Sequence, residues 1–243
     1  MLKKLLGATR GILLVLEIIL LICPLMLVHW VFGYNLDRAL RVRKWWCIIA
    51  MKLLGVKLEW KGSGSDVPCI YVCNHRSYFD PLATFRVIKA LPVAKAELAS
   101  WPLIGAGAKA TGIVFVKRES STSRKQTLGA MEQALKDGCS ILIYPEGTTH
   151  DEERTIAFQK GSFKLAAKMN IPITPIAFDF KEKTDAWIGN ETFIPHFFRC
   201  FGKWNTYIKI KFGEPIYSKN WEELLNKSKQ WIDDELKTIR ARW

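Results

Sequence analysis

Residues 112–118, Gly-Ile-Val-Phe-Val-Lys-Arg, and residues 140–147, Ser-Ile-Leu-Ile-Tyr-Pro-Glu-Gly, are joined by a segment with Leu128, Met131 and Leu135 at helical spacing and Gly138 as its stop. Two short apolar runs around an amphipathic helix make a βαβ unit. Such a unit closes right-handed and sets its strands parallel. Working outward, Cys69-Ile70-Tyr71-Val72-Cys73 is another strand, and Asp80-Pro81 opens a helix through about Lys89, with Asp80 as N-cap and Pro81 as first residue. Residues 91–94 read as a short edge strand and 101–105 as a turn or short helix. Farther on come a helix at 160–170 and strands at 173–178 and 207–212. The last helix starts at Asn220, with Glu223 placed as in a capping box. The expectation is an α/β fold, with a central, largely parallel sheet flanked by helices.

The 243 residues are 49% hydrophobic and 24% charged, which suits one α/β domain with an appendage and excludes a disordered or polytopic chain. A net charge of +13 asks for an anionic partner, and ten tryptophans beside it favour an anionic membrane surface. Nucleic acid is not expected, since no reading motif accompanies the charge. Residues 11–33 are long and apolar enough to span a bilayer. Glu17 and Pro24 interrupt that run, and cations flank both sides: Lys3, Lys4 and Arg10 before it, Arg38, Arg41, Arg43 and Lys44 after it. A single span wants one basic flank. The apolar piece at 45–54 is too short to cross. Two readings stay open: a helical pair embedded in one leaflet with both ends on the same side, or one true span. No cleavable signal is expected, because the run is too long and no small-x-small site follows. The turn-rich residues 61–66 divide membrane-anchoring helices at 1–60 from an α/β domain at 61–243. Six cysteines without paired spacing read as reduced, mostly buried thiols, and no metal site is expected.

Ligands of a parallel α/β sheet sit beyond the carboxyl ends of its strands. His75, Arg118 and Glu146 each follow an expected strand directly, so they face one crevice if those strands share a sheet. A loop can fold Asp80 back onto His75, and a His with an orienting Asp is a device for activating a hydroxyl. Asp80 as N-cap keeps a spare oxygen for the imidazole, and Asn74 can brace the loop through backbone groups. Lys117 and Arg118 are either a solvated strand end or a fan of donors for a phosphate. Glu146, Gly147, Thr148 and Thr149 form either a plain turn or a cradle for a polyol headgroup. Lys160, at the next helix start, is the least specific of the set. His29 and His196 lie in apolar surroundings and read as packing, which leaves His150 as the rival catalytic histidine.

Four blocks occur in order: Asn74-His75-x4-Asp80, residues 112–118, Tyr144-Pro145-Glu146-Gly147-Thr148, and Ile171-Pro172-Ile173-Thr174-Pro175. They resemble the blocks of the glycerolipid acyltransferases, specifically the bacterial 1-acyl-sn-glycerol-3-phosphate acyltransferases. The amino-terminal helix pair is similar to the membrane anchor of those members. The resemblance implies that His75 takes the proton of a lysolipid sn-2 hydroxyl while Asp80 holds its tautomer. The oxygen then attacks the thioester of an acyl carrier protein or coenzyme A, with no acyl-enzyme, cofactor or metal, and gives phosphatidic acid. Arg118 and the loop from Glu146 through Gly147 and Thr148 to Thr149 bind the acceptor in this reading. Asn74, Lys117 and Lys160 complete the set. The implied location is the cytoplasmic face of the inner membrane.

One departure stands out. The third block usually ends Glu-Gly-Thr-Arg, whereas here Thr149 takes the place of the arginine, and a guanidinium for the phosphate is missing unless Arg154 or His150 covers it. Endings in Thr resemble members that acylate other lysophospholipids or lyso-ornithine lipid, so another lysolipid is the alternative acceptor. A non-enzymatic alternative, a peripheral membrane lipid-binding protein, leaves the convergence of His75, Asp80, Arg118 and Glu146 without a purpose.

Overall fold

The strand at 70–73 takes the middle of the sheet because it is apolar on both faces. Ile70 and Val72 pack into one core, while Tyr71 and Cys73 pack into the other. A computed structural model describes residues 1–100, 104–116 and 121–243. Its strands are β1 (Val56–Lys61), β2 (Ile70–Cys73), β3 (Leu91–Lys95), β4 (Val114–Val116), β5 (Ile141–Ile143), β6 (Ile173–Phe180) and β7 (Thr206–Phe212). They form one sheet in the order β1-β7-β6-β2-β5-β3-β4. Every pair is parallel except β6 with β7. The expected α/β class with a largely parallel sheet is what forms.

The helices are α1 (Leu2–Phe32), α2 (Leu36–Leu53), α3 (Asp80–Phe85), α4 (Ile104–Ala110), α5 (Ser121–Lys136), α6 (Gly161–Met169), α7 (Phe193–Phe201) and α8 (Trp221–Arg240). Residues of α2, α3 and α7 share a core with Tyr71, Cys73 and Phe178 on one face of the sheet, and α5, α6 and α8 cover Ile70, Val72 and Ile173 on the other.

Four details differ from the sequence expectation. β3 is interior, not an edge: Leu91 and Pro92 pair with β5, while Val93 to Lys95 pair with β4. The stagger puts Pro92 where one side only is paired, so its missing N–H breaks no ladder on the other. The two strands of the opening βαβ unit are therefore parallel but separated by β3. β1 straddles the expected division at 60/61, with all but Lys61 on the anchor side, and pairs with β7 along its whole length. α3 stops at Phe85, short of Lys89, after Thr84 Oγ1 bonds back to the carbonyls of Asp80 and Pro81 at 3.0 Å each. α7 is hidden in the sequence by Pro195, which sits in its first turn, where proline is tolerated.

α1 and α2 form the expected amino-terminal pair. The chain reverses at Gly33, with φ 77°, and Asn35 caps α2 by accepting from the Arg38 N–H at 2.9 Å. α1 buries one face, Gly7, Arg10, Glu17, Ile18, Ile22 and Leu25, and leaves Ile12, Leu16, Ile19, Leu20 and Trp30 exposed. Arg10 ties its first turns to the end of α7, donating to the carbonyls of Phe201, Lys203 and Trp204 at 2.5–2.9 Å. Ile18, Ile22 and Leu25 then cluster with Ala110 of α4.

Candidate active site

The carboxyl end of β2 delivers Asn74 and His75 to the rim of the sheet between β5 and β6. Asn74 is fully buried, and its amide pairs with the backbone of β6: Nδ2 donates to Phe178 O and Oδ1 accepts from Phe178 N–H, both at 2.8 Å. It extends the sheet by one side chain and braces the loop. Because it has no exposed surface, Asn74 serves the sheet here and presents nothing to the open crevice.

Asp80 Oδ2 is the hub of the loop. It lies 2.8 Å from His75 Nδ1 and accepts the backbone N–H groups of Arg76 at 2.6 Å and Ser77 at 2.9 Å. The carboxylate therefore caps the turn before the helix instead of serving as N-cap, a position held by Phe79. Burial pushes the Asp80 carboxyl above its ordinary value of 3.8, and the bond and charge of His75 oppose that shift. Asp80 has no exposed surface, whereas the His75 side chain is 21% exposed. With Nδ1–H directed at Asp80, the lone pair of this part-exposed ring falls on Nε2, the arrangement a general base needs. Tyr144 stacks on the imidazole, centroids 4.2 Å apart and rings 23° from parallel, which limits its rotation.

Glu146 faces inward. Oε2 accepts the His75 N–H at 2.6 Å, and Oε1 accepts the Ile156 N–H at 3.1 Å and His150 Nε2 at 2.7 Å. Its side chain has no exposed surface. The sequence points this carboxylate at a headgroup, whereas the structure makes it a strut under the His75 loop. Gly147 allows the turn with φ 74°, and Thr148 is exposed. Thr149 Oγ1 donates to Trp187 O, and Trp187 N–H donates to Arg76 O at 2.8 Å, so residue 187 is strapped to both walls of the crevice.

Both ring nitrogens of His150, the rival histidine, are engaged by protein groups. Its Nδ1 accepts from Arg76 Nη1 at 3.1 Å and from Glu152 N–H at 3.2 Å, while Nε2 donates to Glu146. Arg154 lines a groove against Asn226, Lys229 and Asp233 on α8. His150 thus has its ring bonded to protein partners, and Arg154 lies along α8. Lys160 is exposed at the start of α6, next to Gln159, whose N–H binds Pro145 O at 2.8 Å. Lys117 and Arg118 lie outside the described residues. His75, Asp80, Glu146 and Thr149 are thus brought together. Sequence reasoning missed Tyr144 as the stacking partner and Arg76 as a buried cation, since both roles depend on contacts across the sheet. His196 is packing, as expected: it is buried, burial lowers its pKa, and it bonds Tyr78 and Asp185 O at 3.0 Å each.

The acyltransferase family profile matches residues 59–179, which include the His75–Asp80 pair and the Glu146 turn. The chain belongs to the acyltransferase family. This acyltransferase is 27% identical over 176 residues to a chloroplastic 1-acyl-sn-glycerol-3-phosphate acyltransferase of Brassica napus, covering 72% of the chain and 48% of the relative. It is 28% identical over 199 residues to the lyso-ornithine lipid O-acyltransferase of Pseudomonas aeruginosa, covering 79% and 77%. The chain thus spans about half of the first relative and three quarters of the second. The crystal structure of the 1-acyl-sn-glycerophosphate acyltransferase of Thermotoga maritima superposes with a TM-score of 0.64 over 96% of this chain and 99% of that one. At 21% identity the likeness concerns the fold.

Proposed function

We propose that this acyltransferase moves a fatty acyl group from the thioester of coenzyme A or acyl carrier protein to the free hydroxyl of a membrane-borne lysolipid, with 1-acylglycerol-3-phosphate as acceptor and phosphatidic acid as product. The observation that carries this reading is His75, a part-exposed imidazole oriented through Nδ1 by a buried carboxylate. Nε2 takes the hydroxyl proton as the oxygen attacks the thioester carbon. The tetrahedral adduct collapses, the carbon–sulfur bond breaks, and the departing thiolate takes the proton from the imidazolium. Asp80 steadies that imidazolium. The cycle needs no acyl-enzyme and no cofactor beyond the thioester donor. Turnover of a palmitoyl thioester in detergent against a panel of lysolipids tests it, and no transfer to any of them would sink it.

The site sits at a membrane in this reading, at the cytoplasmic face of the inner membrane. α1 is long and apolar enough to cross a bilayer. Yet it touches the α/β domain from Gly7 to Leu25, a stretch of about 27 Å at helical rise. A span would drag that domain into the hydrocarbon, so we favour a helix pair lying in one leaflet with its apolar face down. Introducing Ile12→Asp and Ile19→Asp together should move most of the protein off phosphatidylglycerol vesicles in a flotation assay. Wild-type flotation by that variant would mean that the outer face of α1 is not the anchor.

A second acceptor is favoured by one observation. Thr149 spends its hydroxyl on Trp187 O, so no guanidinium at 149 serves a phosphate. The Pseudomonas relative is named for lyso-ornithine lipid. Thr149→Arg should raise kcat/KM for the phosphate acceptor relative to lyso-ornithine lipid by about 10-fold, the scale of one charge-assisted hydrogen bond. An unchanged ranking would show that phosphate selectivity is set elsewhere.

A further inference from the structure

Behind the His75–Asp80 pair lies a second set of charges that the reaction does not touch. Arg76 is 1% exposed although it carries a full charge, and Asp179 beside it is 8% exposed. Arg76 Nε lies 3.3 Å from Asp179 Oδ1, and Asp179 Oδ2 accepts from Arg240 Nε of α8 at 2.7 Å. In the other direction Arg76 Nη1 donates to His150 O at 3.0 Å and meets His150 Nδ1 at 3.1 Å. His150 passes the restraint on twice. Its Nε2 holds Glu146, whose other oxygen grips the His75 N–H, and its own N–H donates to His75 O at 3.2 Å. Arg240 Nη2 also binds Glu152 O at 3.0 Å, two residues beyond His150. Burying a guanidinium in this way is expensive unless its geometry is used.

We propose that Arg76, His150, Asp179 and Arg240 are positioning residues, a chain of contacts buried at Arg76 and Asp179 through which the carboxyl-terminal helix holds the main chain of His75 at both its N–H and its carbonyl. The proposal rests on His75 as the base. In it, removing a member leaves both substrates bound and lets the imidazole drift, and misplacement by an ångström is enough to cost up to about 100-fold in rate.

The test uses the full-length protein in detergent with palmitoyl-coenzyme A and lysophosphatidic acid or lyso-ornithine lipid. Arg76→Met should lower kcat about 30-fold with both KM values within about twofold, and Arg76→Lys should recover part of the loss. Arg240→Met, at the outer end, should lower kcat about fivefold and add nothing in the Arg76→Met background, because members of one chain are not additive. Raised KM with normal kcat, additive losses, or unchanged kcat in Arg240→Met would each overturn the chain. A wild-type protein inactive on every acceptor removes the acyltransfer reading instead. The positioning claim then still answers to the downfield Nδ1–H proton resonance of His75, which should shift or broaden in Arg240→Met. An unmoved resonance counts against it, and this milder variant keeps the test open if Arg76→Met fails to fold.

Discussion

His75→Ala is expected to lower kcat by about 1,000-fold, within the range set by loss of a positioned general base. The imidazole is the one histidine ring at the crevice with a nitrogen left over: Nδ1 is bonded to Asp80, while both ring nitrogens of His150 are committed to Arg76, Glu152 and Glu146. Among the described residues, no other histidine is placed to take over the proton. The fold should survive, because the struts to Glu146 and His150 use the backbone of residue 75 and remain in alanine. Vesicle binding should also persist, since α1 is untouched. The measurement is the initial rate of acyl transfer beside a flotation assay. A mutant with near-normal rate and normal flotation would remove His75 as the base, whereas loss of both would point to a folding defect.

Which parts of this arrangement can be read from the chain follows from how local each role is. β2 and β5 are legible because their short apolar runs end abruptly in polar residues, and two-sided burial in a parallel sheet requires such runs. β1 carries the alternation of a half-exposed strand in Val56-Lys57-Leu58-Glu59-Trp60-Lys61, but nothing local shows that its partner is β7, far along the chain. The His75–Asp80 pair is legible for a local reason, since the groups lie only five positions apart on one loop. The sequence also points to Asn74 as a brace, but the residue it braces against, Phe178, lies 104 positions away. Glu146 misleads. A carboxylate at a strand end resembles a ligand for a headgroup, and only the neighbouring strand shows that it faces the His75 N–H. Arg76 gives no local signal: its burial is created by Asp179 and His150, which come from two other strand ends.

Asp80→Asn should separate activity from stability. The amide keeps an oxygen for the N–H groups of Arg76 and Ser77, but it is a poorer acceptor for the His75 Nδ1–H and gives no charge to balance an imidazolium. Activity should fall by about 100-fold or more. Stability should move the other way with pH. Burial raises the folded-state pKa of Asp80 above its ordinary value of 3.8, so the native protein holds this proton more tightly than the unfolded chain does. In the wild type this group's contribution is therefore most favourable below 3.8, shrinks as pH climbs through the raised folded value, and stays low above it. Asparagine carries no such titration. The difference in Tm, variant minus wild type, should accordingly grow more positive from pH 4 to pH 7, by a few degrees at most for a chain of this size. Thermal melts at several pH values beside the acyl-transfer rate decide the matter. A difference that shrinks over that range would show that the three N–H groups on Oδ2 outweigh burial, and that Asp80 is held ionised by its loop and not merely tolerated there.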